Sequence, residues 1–325
     1  MNTFEKRSDT LPKFFRYIQG TPNPILWTFV WKQTKVLFHY KRVFLIFFLN
    51  LRPMISNSKI TTILKGALFR ILRLAGILAV IYVSMVFYLA LTERRNAFPR
   101  AIYHKEANEA IQNKAKQLSC TLEDGTVLNG FILGNETDPT LLYYPEADED
   151  AAQFLAQVDS LPGVSVITFN YRGSAQNKGT PSEKTFAQDA AQIAECATQV
   201  NGNAPQILVG RGMGAISAIN QHRNYEQIIL IDPIFDIAEA IHQKYGFLYP
   251  RFLVRTDFKV ATDKLKSAQN NTTVVSDRKQ FENRTYLEYS KLGNAKLVLR
   301  NGESLQKLLI LSLKRQFIPI KADKF

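Results

Sequence analysis

The first hundred residues contain one long apolar stretch that no charged side chain interrupts. It reads LAGILAVIYVSMVFYLALT and occupies residues 74–92. As an α-helix it would extend about 28 Å, close to the ~30 Å thickness of a bilayer's hydrocarbon core. Charged residues flank it on both sides: Arg70, Arg73, Glu93, Arg94 and Arg95. We therefore predict a transmembrane helix over residues 67–95, the alternative being a core helix buried in a soluble domain.

A second apolar and aromatic segment, residues 25–51, precedes this helix, but cations interrupt it. The cations are Lys32, Lys35, Lys41 and Arg42, and the aromatic residues include Trp27, Trp31 and Tyr40. This mixture is typical of a segment lying in the lipid headgroup layer, where aromatic rings anchor it. We predict that residues 1–66 form a basic, aromatic membrane-interacting region and that residues 25–95 contact lipid. As an alternative to a single-pass anchor, residues 43–51 enter the bilayer and form a hairpin with the transmembrane helix.

From about residue 96 the pattern changes to short β-type runs that alternate with amphipathic helical segments. Strands are predicted in a hairpin over 117–136 and at 140–145, 163–172, 206–210, 227–234, 272–277 and 295–301. Helices are predicted at 147–158, 182–200, 212–223, 278–292 and 303–317. Strands separated by helices pair in parallel through right-handed crossovers. The pattern thus predicts a mostly parallel central sheet flanked by helices, in an α/β domain of residues 96–325.

The net charge of +13 lies entirely in the first hundred residues. That part carries 16 Lys/Arg and three Asp/Glu, whereas the remaining 225 residues carry 25 of each. A neutral folded domain argues against nucleic-acid binding, and attraction to anionic lipid explains the basic part. The two cysteines, Cys120 and Cys196, indicate neither a disulfide framework nor a metal site. We expect no metal, no cofactor, and a soluble domain in a reducing compartment.

Two glycine-containing motifs follow predicted strands in the second half of the chain. The first is NYRG, residues 170–173, which continues to Gly179, Thr180, Pro181 and Asp189. The second is GRGMG, residues 210–214. Together they resemble the α/β-hydrolase superfamily, in particular its membrane-anchored serine hydrolases, with Asn177 where that motif carries serine. The resemblance covers residues 115–315 and implies an α/β-hydrolase fold.

In the resembled family the second motif is the nucleophile elbow G-x-S-x-G, a strained turn that carries the attacking serine. Gly210, Gly212 and Gly214 keep the spacing, but the central residue has no side chain. Glycine adopts such a backbone conformation at low cost, so we expect the turn to persist without a nucleophile. Of the family's oxyanion donors, only the Met213 backbone N–H keeps its position. Glu146 stands in the usual oxyanion segment after the third strand, where a carboxylate repels an oxyanion.

The resemblance also implies a histidine base after the last strand and an acid after the strand before it. The loop after the last predicted strand contains no histidine. His242, in the region where such hydrolases carry a cap, is the rival base, with a core or solvated histidine as the alternative. Asp277 takes the vestigial acid position, with a surface turn as its alternative role.

These differences predict a catalytically inactive, membrane-anchored pseudo-hydrolase that acts by binding a protein partner or an acyl or other apolar ligand. One missing group would fit a rearranged enzyme, whereas the combined loss of nucleophile, base and oxyanion motif fits lost catalysis. The chain's texture also resembles secreted effectors of intracellular bacteria. The alternative is an active membrane-associated esterase, lipase or thioesterase with a non-standard catalytic arrangement. A third hypothesis makes the domain a scaffold for the basic N-terminal region.

Overall fold

The computed structural model describes residues 59–221, 225–268, 271–281 and 289–314. The predicted lipid-contacting segment 25–51 lies outside these residues, as does the rest of the chain before residue 59. By its internal contacts the chain divides into two units, Met1–Leu78 and Ala79–Phe325. The second unit contains the sheet and the candidate site.

The described residues form one eight-stranded sheet. Its strands are β1 (Ala115–Thr121), β2 (Val127–Leu133), β3 (Thr140–Tyr144), β4 (Ser165–Phe169), β5 (Ile207–Arg211), β6 (Gln227–Ile231), β7 (Thr272–Asp277) and β8 (Lys296–Arg300). Their order across the sheet is β1-β2-β4-β3-β5-β6-β7-β8. The pairs β1–β2 and β2–β4 are antiparallel and the other neighbours are parallel. The predicted mostly parallel sheet is confirmed.

Helices connect the parallel strands and flank the sheet. They are α1 (Lys59–Ala97), α2 (Lys105–Ile111), α3 (Ala151–Val158), α4 (Glu183–Asn201), α5 (Gly214–Asn220), α6 (Ile237–Tyr245), α7 (Thr262–Ala268) and α8 (Leu305–Leu313). Short helical turns lie at Gly246–Leu248, Arg251–Leu253 and Arg278–Gln280. Helix α3 begins at Ala151, later than the predicted residue 147, because the Asp150 side chain caps it there. Part of the predicted helix 278–292 lies outside the described residues.

Alternate side chains of the central strands enter two cores, as the two-residue period of a strand requires. On β3, Leu142 and Tyr144 belong to the core covered by α4, α5 and α6. Leu141 and Tyr143 belong to the opposite core, covered by α2, α3 and α8. Burial on both faces explains why the parallel strands are continuously apolar. Because β3, β5, β6 and β7 are parallel, their carboxyl ends meet at one edge of the sheet.

The strands β1 and β2 form the predicted hairpin, and a disulfide attaches it to the helical layer. Cys120 on β1 is bonded to Cys196 on α4, with 5.8 Å between their Cα atoms. The expectation that these cysteines form no disulfide is therefore wrong; 76 positions separate them, so local spacing gave no sign of the bond. Disulfides persist mainly in oxidising compartments. The predicted reducing compartment stays a prediction, and this bond argues against it.

Helix α1 is apolar and largely exposed. By length and composition its segment Lys65–Ala97 is the one described helix able to cross a membrane, with a mean hydropathy of 2.4. Only 6% of its apolar window is buried. Such exposure does not fit the alternative of a core helix. Burial begins near the end of the helix, at Leu89, Glu93 and Ala97.

Candidate active site

The turn between β5 and α5 has the backbone form of a nucleophile elbow, with Gly212 at its apex. Gly212 has a φ of +50°, in the left-handed region that favours glycine. Its N–H donates to the carbonyl oxygen of Ile231 at 2.9 Å, and its own carbonyl accepts from the N–H of Ile234 at 2.9 Å. The chain after β6 therefore holds the apex on both sides.

The flanking glycines are required by close packing between strand and helix. A Cβ on Gly210 would approach the carbonyl oxygen of Gly214 to 2.6 Å and the Cα of Ala215 to 2.7 Å. A Cβ on Gly214 would overlap the carbonyl oxygen of Tyr144, at the end of β3. The three-glycine spacing thus has a structural reason that is independent of catalysis.

The carboxylate of Glu146 occupies the space where a side chain at position 212 would begin. A Cβ built on Gly212 would overlap this carboxylate. Glu146 Oε1 accepts the Met213 N–H at 3.0 Å and the N–H of Ala147 at 3.2 Å. The donor that an oxyanion would need is therefore already bonded to a carboxylate oxygen. A ligand pocket at Gly212 would need the space that a serine side chain would otherwise take. This carboxylate fills that space.

A partly buried ion pair supports the loop that carries Glu146. Arg211, at the end of β5, donates to Glu149 Oε1 at 2.9 Å. Glu149 Oε2 accepts the hydroxyl of Tyr143 at 2.6 Å and the N–H of Glu146 at 3.1 Å. Burial raises the pKa of Tyr143 well above its usual value, so the phenol stays a hydrogen-bond donor. The sequence analysis missed Arg211 and Glu149, because nothing in the local pattern pairs residues 62 positions apart.

Asp277 and His242, the vestigial acid and the rival base, have separate surroundings. Asp277 Oδ1 caps a helical turn by accepting the N–H of Lys279 at 3.1 Å, and Oδ2 lies 3.7 Å from an Arg300 Nη2. His242 lies on α6, and its buried Nδ1 has no hydrogen-bond partner within the described part of the chain. No hydrogen bond or ion pair joins the two among those residues. The pair does not form the acid–base relay of a catalytic triad.

Asp232 is a further carboxylate at this edge, and the sequence analysis did not single it out. It follows β6 directly and has a φ of +43°, a strained value for a residue with a Cβ. Its Oδ1 accepts the hydroxyl of Ser276, on β7, at 2.5 Å. The dipeptide Asp232-Pro233 at the end of a buried strand is the sequence feature that could have identified this residue. Its side chain joins the ends of β6 and β7 beside the elbow.

The NYRG motif has structural roles throughout. Arg172 makes two bonds to Asp189, Nε to Oδ2 at 2.7 Å and Nη2 to Oδ1 at 2.6 Å. Its Nη1 donates to Asp124 in the hairpin turn at 2.7 Å. This guanidinium lowers the pKa of the Asp124 carboxyl to about 2. Burial raises the pKa of Asp189, and the Arg172 guanidinium partly offsets this rise. One arginine therefore connects β4, α4 and the β1–β2 hairpin.

The two asparagines of this segment fix the loop after β4. Asn170 Oδ1 accepts the N–H of Ala151 at 2.8 Å, at the first residue of α3, and its amide donates to Asp150 at 3.2 Å. Asn177, at the position of the family's serine, accepts from the backbone of Asn129 at 3.0 Å and donates to the Asn170 carbonyl at 2.7 Å. These contacts join the loop to β2 and α3.

Comparison with known proteins supports the fold. No family model matches the chain, and no curated protein matches it. Among solved structures, an α/β-hydrolase from Vibrio vulnificus is similar, with 15% identity and a TM-score of 0.57 over 70% of this chain and 91% of that one. This chain has the α/β-hydrolase fold. A lipase candidate from Acinetobacter baumannii AYE is similar at 13% identity, with a TM-score of 0.50 over 65% of this chain and 93% of that one. At such identities the likeness concerns the fold alone.

Proposed function

We propose that this chain is a membrane-anchored protein whose α/β-hydrolase fold serves binding and has no hydrolytic turnover. The observation that carries the proposal is the Glu146 carboxylate, which fills the nucleophile position at Gly212 and accepts the Met213 N–H. Acyl transfer at an elbow needs an attacking side chain and free donors for the developing oxyanion. This site offers neither.

The charge of Glu146 adds to the absence of a nucleophile. A tetrahedral intermediate would place a second negative charge against the carboxylate, in a region where Gly212 and Met213 are buried. Like charges repel more strongly in such low-dielectric surroundings. Loss of a serine triad alone lowers turnover by roughly a million-fold, and here the oxyanion donor is occupied as well.

The membrane anchor rests on helix α1. Its apolar segment is long enough to span a bilayer and is mostly exposed, so lipid is the surrounding that suits it. Lipid contact by residues 25–51, and the choice between a single-pass and a hairpin anchor, remain proposals. So does the role of a secreted effector.

A protein partner suits this domain better than an acyl or other apolar ligand at the elbow. The space above Gly212 holds a carboxylate instead of an apolar cavity. Glu149 and Arg211 keep the loop in place, so opening that space would disturb a partly buried ion pair. The surface of the domain is then the part available for recognition.

Activity-based labelling tests the lack of turnover. Purified full-length protein, treated with fluorophosphonate probes and a panel of esters and thioesters, is expected to give neither labelling nor turnover. A serine hydrolase of the same fold is the positive control, and the His242→Ala variant is the matched control. Turnover that disappears in His242→Ala would instead support the alternative, an active esterase, lipase or thioesterase.

Alkaline carbonate extraction of membranes tests the anchor. The full-length chain is expected to stay in the membrane pellet, and its release into the supernatant would refute the anchor. Truncation before residue 96 is a poorer test. It would remove Leu89 and Glu93, which are buried in the folded domain.

A further inference from the structure

A part of the domain lies alongside the apolar segment of α1. We call this part the cap strip and define it as residues 246–256. The Tyr82 hydroxyl donates to the carbonyl oxygen of Phe247 at 3.2 Å. Eleven positions further along α1, Glu93 Oε1 accepts the N–H groups of Arg255 and Thr256, each at 2.7 Å. Eleven helical residues extend about 16 Å, so the cap strip follows α1 over that length.

The Tyr82 contact lies within the uncharged run 74–92, and Glu93 directly follows that run. A span of ~20 residues that ended at Tyr82 would begin near residue 63 and would carry Lys65, Arg70 and Arg73 through the hydrocarbon core, where charges are costly. The run 74–92 avoids all three cations. If that run is the span, the end of the cap strip near Phe247 lies about 15 Å inside its boundary at residue 92.

The cap strip exposes two large apolar side chains at this place. Phe247 is 80% exposed and Phe252 is 84% exposed, each in a short helical turn beside α1. Aromatic side chains standing out from a protein beside a membrane span are typical of interfacial insertion. Water is an unfavourable surrounding for two such rings, and lipid is a favourable one.

The polar groups around these phenylalanines are compatible with lipid. Lys244 and Arg255 are exposed, and both have flexible stems that let their charged ends point away from the apolar part of the bilayer. Glu93, an acidic residue directly after the uncharged run, is buried and bonded to the cap strip. Asp236 is 3.6 Å from Arg251, so this carboxylate is paired.

We infer that the cap strip inserts Phe247 and Phe252 into the bilayer that α1 crosses. The domain then contacts the bilayer at two places, the helix and the cap strip. This inference rests on the proposed membrane anchor. It adds a specific lipid-contacting surface to the folded domain, outside the N-terminal region to which lipid contact was assigned.

Fluorescence quenching in vesicles tests this surface. Full-length protein with a single introduced cysteine, Phe247→Cys or Phe252→Cys, is labelled with an NBD fluorophore without reductant, so that the Cys120–Cys196 disulfide stays intact. It is reconstituted into vesicles of phosphatidylcholine and phosphatidylserine that contain doxyl-labelled lipid. Both positions are exposed, so the labels leave the core undisturbed.

Two control positions separate the possible results. Val83→Cys, exposed on α1, reports on the anchor, and Val127→Cys, exposed on β2, reports on the part of the domain away from the cap strip. We expect blue-shifted, doxyl-quenched emission at 247, 252 and 83, and unquenched emission at 127. Quenching at 83 without quenching at 247 and 252 would overturn the inference and leave the anchor intact. The absence of quenching at all four positions would overturn both, and quenching at 127 as well would refute a surface confined to the cap strip.

Discussion

The carboxylate of Glu146 lies where a side chain on Gly212 would have to be placed, and the two residues depend on each other. Without a Cβ at position 212, Glu146 Oε1 reaches the Met213 N–H at 3.0 Å. The carboxylate in turn satisfies a buried donor that an empty elbow would leave without a partner. The Glu146 carboxylate thus connects the chain after β3 to the turn after β5.

A methyl group at position 212 should show how much the contact between Glu146 and the turn at Gly212 contributes to stability. We expect Gly212→Ala to lower the free energy of unfolding by about 2–4 kcal/mol, because left-handed backbone disfavours a Cβ and because the methyl displaces the hydrogen-bonded carboxylate. Chemical denaturation of the detergent-solubilised full-length protein provides the measurement.

Gly202→Ala is the matched control for this prediction. Gly202 has a φ of +69°, but a Cβ there meets nothing within 4 Å, so its substitution costs only the backbone strain, about 1–2 kcal/mol. In a Glu146→Gly background the cost of Gly212→Ala should fall to that of Gly202→Ala. Equal costs of the two alanine substitutions in the wild-type background would contradict the role of Glu146.

The sequence predicted the sheet well, because each strand can be recognised from its own local residue pattern. The apolar runs of β3, β4 and β6 are bounded by polar turns, and burial on both faces requires such runs. The glycine spacing and the NYRG motif also indicated the fold correctly, although their residues serve packing and ion pairing in this chain. The start of α3 was placed too early because the acidic residues before Asp150 look like a first helical turn.

The stabilising effect of the ion pair between Asp124 and Arg172 should decrease as the pH is lowered. The guanidinium lowers the pKa of Asp124 from 3.8 to about 2 in the folded protein. A lowered folded-state pKa contributes stability that is present above the unfolded value and is lost as the carboxyl is protonated. Wild type should therefore be more stable than Asp124→Asn at pH 5, and the difference should shrink as the pH falls through 3.8 towards 2.

Thermal unfolding at a series of pH values measures this difference. Burial raises the pKa of Asp189, which acts in the opposite sense, but Asp189 is present in both proteins and its effect largely cancels. Asp263→Asn, at an exposed position on α7, is the control for the loss of a surface carboxylate. A difference between wild type and Asp124→Asn that stays constant from pH 5 to pH 2 would rule out the proposed linkage.

Reduction of the Cys120–Cys196 disulfide should destabilise the domain. The bond closes a loop of 76 positions, and constraining a loop of that size in the unfolded chain stabilises a protein by about 2–4 kcal/mol. Denaturation with and without a phosphine reductant gives the measurement. A Cys120→Ser/Cys196→Ser variant should match the reduced protein and should not respond to the reductant; a response by this variant would show that the reductant acts elsewhere.

The features that the sequence did not predict are contacts between distant positions. The disulfide, the Arg211–Glu149 ion pair and the Glu93–Thr256 bond each join residues more than 60 positions apart. A local pattern describes which face of an element is buried, and it contains no information on which distant groups meet there. Glu93 illustrates this limit, since next to an apolar run it looked like a simple flanking charge.

Replacement of Glu93 should loosen the cap strip from α1. Its carboxylate accepts four hydrogen bonds. The donors are the Tyr249 hydroxyl, the Arg255 N–H, the Thr256 N–H and the Thr256 hydroxyl. In Glu93→Ala two backbone donors, whose bonds to the carboxylate are partly buried, lose their partner, at up to about 1–3 kcal/mol each. We expect faster hydrogen exchange of the Arg255 and Thr256 amides, measured by mass spectrometry on the full-length protein.

Two conservative variants resolve which part of this contact matters. Glu93→Gln keeps an oxygen acceptor for the two amides, and the Tyr249 hydroxyl can accept from the new amide group, so exchange should rise less than in Glu93→Ala. Tyr249→Phe removes one bond and leaves both amides paired. Exchange in β5 and β6 should stay unchanged in all three variants, since these strands lie in the centre of the sheet. Unchanged exchange at Arg255 and Thr256 in Glu93→Ala would show that something other than this carboxylate holds the cap strip.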